Sequence, residues 1–97
     1  MDELPKTHRV ERISDQIERA ASSAGANYHE ANFAVSKADF NNKLGIVIKE
    51  LNETKFWLKV VVKMSLHSWE RVQPEFNECE ELLSLFISIR RGNKKEP

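Results

Sequence analysis

The feature that most constrains this chain is a run in which side chains recur in alternating steps of four and three: Phe40, Leu44, Val47, Leu51, Thr54, Leu58, Val61 and Ser65. That spacing keeps one stripe of a helix turned toward a neighbour, whereas a strand alternates its faces every second residue and cannot satisfy it. The pattern predicts a long central helix over 36–65, of about 28 residues and roughly 42 Å. Its start is also legible, because Ser36 offers a capping hydroxyl and Asp39 stands three residues on, a variant of the capping box. Ile46, Trp57 and Met64 form a second apolar stripe, interspersed with Glu50 and Glu53. A helix that is apolar on two sides has partners on two sides.

Before this helix, Val10, Ile13, Ile17, Ala20, Ala24, Tyr28 and Ala31 share one face of a helix expected over 8–33, after a short polar arm that includes Pro5. Gln16, Ser23, Asn27 and Glu30 make a polar stripe flanking that face. We read it as a hydrogen-bond network between helices or subunits, with Asn27 its least exposed member; a ligand-binding stripe is the sharper alternative. Small residues gather between Arg19 and Phe40. Gly25, mid-helix, implies either a close backbone approach or a bend.

After the central helix, Leu66 to Gln73 carries a break, with Ser68 or a neighbour as cap and Pro74 acceptable in a first turn. A third helix is expected over 69–91, stopped by Gly92, with a frayed tail over 92–97. Its apolar residues, from Val72 and Phe76 through Cys79 to Ile89, cover about half the circumference. Three such helices have more apolar surface than three helices can cover, and leaving large side chains in water forfeits several kcal/mol, on the order of a small domain's whole stability. Self-association is the expected remedy, with Ile46, Trp57, Met64, Leu82, Leu85 and Ile89 as interface candidates. The fold class expected is all-α, an up-and-down helical bundle in one domain, oligomeric.

Composition narrows the function. A chain of 97 residues allows one domain, and 15 Lys plus Arg against 15 Asp plus Glu leave no net charge to draw it to nucleic acid or membrane. The longest apolar run, Val60 to Val62, is far short of a membrane span. The N-terminus MDELPKTHRVER has no apolar stretch and Cys79 has no partner for an internal disulfide, so the compartment expected is the cytoplasm.

No chemistry-bearing constellation stands out. Glu50 and Glu53 lack the Glu-x-x-His pairing of di-metal bundle sites, and His8, His29 and His67 lack metal-ligand spacing. Cys79 has no base placed beside it and reads as a small core residue. No catalytic, cofactor-binding or metal residue is therefore expected. Trp57 reads as a packing anchor ahead of a base-stacking platform. Arg90, Arg91, Lys94 and Lys95 form a basic end that complements the helix terminus or, alternatively, contacts phosphate.

The segment RAASSAGANYHEA, followed by SKADFNNKLGIVIKELNETKFWL, carries a resemblance. Arg19, Ala21, Ser23, Gly25, Ala26, Asn27, Tyr28, Glu30 and Ala31 match the first half of a family pattern. Ser36, Lys37, Asp39, Phe40, Lys43, Leu44, Gly45, Ile46, Lys49, Glu50, Glu53, Trp57 and Leu58 match the second. The chain resembles the four-helix-bundle family of 23S rRNA intervening-sequence proteins over about residues 13–91. The resemblance implies a helical bundle assembling into homo-oligomeric rings, pentamers by analogy, with a mostly unassigned role. It also implies that the family's first helix has no counterpart ahead of Leu4-Pro5-Lys6, so that helix is absent, supplied by a neighbour, or lost through start-site choice. The function expected is a non-enzymatic homo-oligomeric structural or interaction module. The alternative is a nucleic-acid-binding accessory protein, of the kind that works with a reverse transcriptase, acting through the basic C-terminal rim.

Overall fold

A computed structural model describes residues 6–95, with side chains described for 8–92. Three helices account for nearly all of it: α1, Lys6–Ala31; α2, Lys37–Lys63; and α3, Trp69–Lys95. The all-α bundle expected from the sequence is the fold observed. Cross-helix pairs fix the directions. Glu30 meets Lys43 and Arg19 meets Glu53, so α1 and α2 run antiparallel; Lys55 meets Glu80 and Arg90 meets Asn41, so α3 turns back again.

The alternating run on α2 is the spine. Leu44 and Val47 are the most deeply buried large side chains, and Leu51, Thr54, Leu58 and Val61 continue the buried stripe. Ile13 and Ala24 pack on it from α1, where Ala20 and Ala31 are also buried, and Val72, Cys79, Leu83 and Phe86 from α3. Both outer helices pack on α2, but among the described residues no Cα of α1 approaches one of α3 within 8 Å. The Tyr28 and Phe86 rings, 5.3 Å apart, reach across that seam.

The helix ends show where sequence signals suffice. Ser36 is the N-cap of α2 in an extended conformation (φ −154°, ψ 164°), its hydroxyl accepting from the Asp39 amide at 3.0 Å. Ser68 caps α3, its Oγ accepting from the Arg71 amide at 3.2 Å. The α2 terminus departs from expectation. Ser65, counted as a stripe position, lies outside the helix in the left-handed region (φ 59°). Its amide bonds the Val62 carbonyl at 2.9 Å and the Leu66 amide bonds Val61 at 3.0 Å, the crossed pair of a Schellman motif, in a position that glycine usually fills.

Three further expectations are corrected. Pro74 sits inside α3, past its first turn; the ring removes one amide donor, and its neighbourhood is exposed enough for water to serve the freed carbonyl. Gly92 does not stop α3, which continues to Lys95; no glycine adopts a positive φ, and without that conformation a glycine only weakens a helix. Of the two readings at Gly25, a close approach or a bend, the close approach does not occur within the chain, since a Cβ there would meet nothing within 4 Å. It occurs instead at Gly45, where a Cβ would lie 3.3 Å from the Arg90 guanidinium. The bounds of α1 and α2 also move, from 8–33 to Lys6–Ala31 and from 36–65 to Lys37–Lys63.

Two changes test this frame in urea unfolding. Leu44→Ala, at the most buried point of the spine, should cost about 2–5 kcal/mol. Ser65→Gly should raise stability by up to about 1 kcal/mol, because glycine occupies the left-handed region without the Cβ clash.

Candidate functional site

The predicted polar stripe does not act as one unit. Asn27 Nδ2 donates to the Ser23 carbonyl at 2.9 Å and lies 3.4 Å from the Ser23 hydroxyl, both on its own helix. Glu30 is exposed and reaches α2 through Lys43 Nζ at 3.2 Å. Gln16 accepts from Arg19 Nε at 3.4 Å.

The polar linkage between helices centres on Arg19, which the stripe did not include. Its guanidinium ion-pairs with Glu53, and Nη1 lies 3.5 Å from Glu50 Oε1. Glu50 is buried at 8% exposure, and this oxygen has no partner in hydrogen-bonding geometry, so the nearby cation is its compensation. Glu53 also accepts from the Trp57 indole Nε1 at 3.4 Å. The Arg19 bond, aided by that of Trp57 and opposed by desolvation, holds the Glu53 carboxyl below its ordinary value, and the same bond raises Arg19. Glutamates spaced three apart, with a tryptophan four beyond, were visible in the sequence. Their partner on α1 was not, because register between helices is a tertiary property.

Two recesses flank this clamp. Along the α1–α3 seam runs an apolar groove. A stretch of about 510 Å³ is lined by Ala21, Ala24, Gly25, Tyr28, Leu82 and Leu85 over Val47, Leu51 and Thr54. A stretch of about 380 Å³ lies over Leu58 and Val61, the next positions of the spine. Leu85 is 51% exposed and Leu82 36%. Cys79 borders the groove with its thiol pushed up, first by burial and then by Glu78 and Glu75, against Lys55. Beside the clamp, Arg9, Arg12, Gln16, Trp57, Val60 and Met64 surround a second recess, between α1 and α2.

The interface candidates thus divide. Leu82 and Leu85 line the groove, while Trp57 and Met64 line the α1–α2 cleft. Ile46 and Ile89 are exposed at 38% and 37%. At the basic end, Arg90 Nε donates to the Asn41 carbonyl at 3.1 Å, tying α3 to the start of α2. Arg91 is exposed, and the side chains of Lys94 and Lys95 lie outside the described residues. Among the described residues no three His, Cys, Asp or Glu side chains are grouped to hold a metal ion, and no helix is long and apolar enough to cross a membrane.

The clamp has a pH signature. A carboxyl whose folded value is depressed stabilises the fold above its unfolded value, near 4.5, and loses that contribution as pH falls through the folded value. Glu53→Gln should therefore shrink the loss of stability between pH 7 and pH 3 relative to wild type, read from urea midpoints at each pH. An unchanged acid limb would show that the pair contributes nothing.

No curated protein matches the chain. The structure of a protein of unknown function from the S23 ribosomal protein family of Bacteroides thetaiotaomicron VPI-5482 superimposes with a TM-score of 0.78, at 42% identity, over 80% of this chain and 72% of that one. The sequence profile described as 23S rRNA-intervening sequence protein matches residues 1–88, which include all of α1, all of α2 and most of α3. With its three-helix frame and this match over nearly its whole length, the chain belongs to the 23S rRNA-intervening sequence protein family.

Proposed function

We propose that this protein is a non-enzymatic, cytoplasmic interaction module that works as a homo-oligomer, its copies associating through the α1–α3 groove. The observation that carries this reading is the groove itself. It is apolar along both stretches, it runs over the buried spine of α2 between two helices whose backbones do not meet, and the exposed Leu82 and Leu85 stand at its edge. An apolar face of this kind on a small domain is stabilised by covering it. The residues along it suit a helix as the covering element, since Ala21, Ala24 and Gly25 permit close approach of a backbone. The resemblance set out above makes five the copy number to test.

The measurement is mass in solution. Light scattering should give a discrete multiple of the 11.2 kDa chain, and Leu85→Glu should shift it toward the single chain while helix content by circular dichroism is kept. A wild-type protein that is monomeric and stable at micromolar concentration sinks the reading.

A further inference from the structure

Where α1 begins and α2 finishes, Arg9, Arg12 and Gln16 face Trp57, Val60 and Met64 across a cleft of about 340 Å³. That volume lies within the range of small-molecule sites, about 300–1,000 Å³. One wall is cationic. Arg9 Nε is buried and has no hydrogen-bond acceptor, and no carboxylate among the described residues pairs with Arg9 or Arg12. A cationic N–H taken out of water without an acceptor is costly, so an acceptor placed against this wall is favoured. The other wall is apolar and aromatic. The Trp57 indole is oriented by its bond to Glu53 and by the Phe56 ring, 5.1 Å away and nearly edge-on. Through Arg19, the same Glu53 is linked to Gln16, so a single relay sets groups on both walls.

A guanidinium pair facing an indole across one small cleft matches a ligand that joins a planar ring to an oxyanion. We propose that the cleft binds a nucleotide, its phosphate held by Arg9 and Arg12 and its base packed on Trp57, with Gln16 hydrogen-bonding the base edge or ribose. Guanidinium forks suit phosphate oxygens, and an aromatic face accepts any base. Ile13 is the one lining residue that the cleft shares with the α1–α3 groove, and none of these six residues lines either stretch, so the ligand contacts do not rest on the assembly reading. A free nucleotide and an unpaired nucleotide within a strand present the same chemistry, and the test separates them.

The chain has two tryptophans, and Trp69→Phe leaves Trp57 as the fluorescent reporter. AMP should quench it saturably, while adenosine and inorganic phosphate, each lacking half of the ligand, bind at least about tenfold more weakly. Arg9→Ala with Arg12→Ala should weaken AMP by a similar factor, with helix content unchanged by circular dichroism. If the double change disturbs folding, Arg12→Gln at its exposed position repeats the test. A short oligoadenylate that saturates at concentrations where AMP does not assigns the ligand to a strand; equal affinity per nucleotide assigns it to the free nucleotide. Absence of a saturable response to both, or quenching untouched by the arginine changes, overturns the proposal.

Discussion

Everything in this fold depends on α2 being buried from two sides at once. Leu44 and Val47 are sealed because α1 and α3 both pack on one spine, and that arrangement holds the two outer helices apart. A three-helix bundle of closed, triangular section would let its first and third helices touch, but here the seam is bridged by the rings of Tyr28 and Phe86 rather than by backbone approach. Half-exposed leucines on α3 and small residues on α1 border the opening. The groove is therefore a consequence of how the spine is shared, not a local irregularity of packing.

The polar contacts do a different job. Burial along α2 is tolerant of sliding, because a helix shifted by a turn presents similar apolar residues. Arg19 is not tolerant, since a one-turn slide moves it about 5.4 Å from its carboxylates and leaves Glu50 buried without a cation. An uncompensated buried charge is among the more damaging faults available to a small domain. The Arg19 clamp thus specifies register where apolar packing supplies bulk stability. On the other side of α2, Arg90 lies over Gly45 and reaches the Asn41 carbonyl, and Lys55 reaches Glu80 while its Nζ sits 5.3 Å from the Phe76 ring centroid.

This division explains what was legible in the sequence. The helices, the spine, and the caps at Ser36 and Ser68 rest on local spacing and on side chains within one turn of the backbone they serve. The end of α2 was missed because Ser65 takes a conformation for which serine carries no signal. Gly92 and Pro74 misled in the opposite direction: each is a helix-breaker by reputation, yet at exposed positions each removes too little to end α3. Gly25 and Gly45 show the limit most plainly. Both are helical glycines, and only the placement of Arg90 on a distant segment makes one of them a point of close approach. The polar stripe divides for the same reason: Asn27 and Ser23 meet within α1, Glu30 reaches α2 through Lys43, and a further bridging charge stands between the stripe's members at Arg19.

The two recesses follow from the same geometry yet differ in chemistry. The groove lies between α1 and α3 and is apolar along both stretches; the cleft lies between the first half of α1 and the end of α2 and is cationic on one wall. Ile13 is the exception to their separation, since it is buried in the core and lines both the cleft and the Val72 end of the groove. Whatever covers the groove there contacts Ile13, the residue that also lines the cleft between Arg9 and Trp57. A ligand in the cleft meets the same side chain from the other side. Linkage is reciprocal, so if the cleft's affinity depends on the placement of α1, assembly must depend on the ligand to the same degree. Ile13, at the end of the second turn of α1, is the side chain through which such a dependence would have to pass.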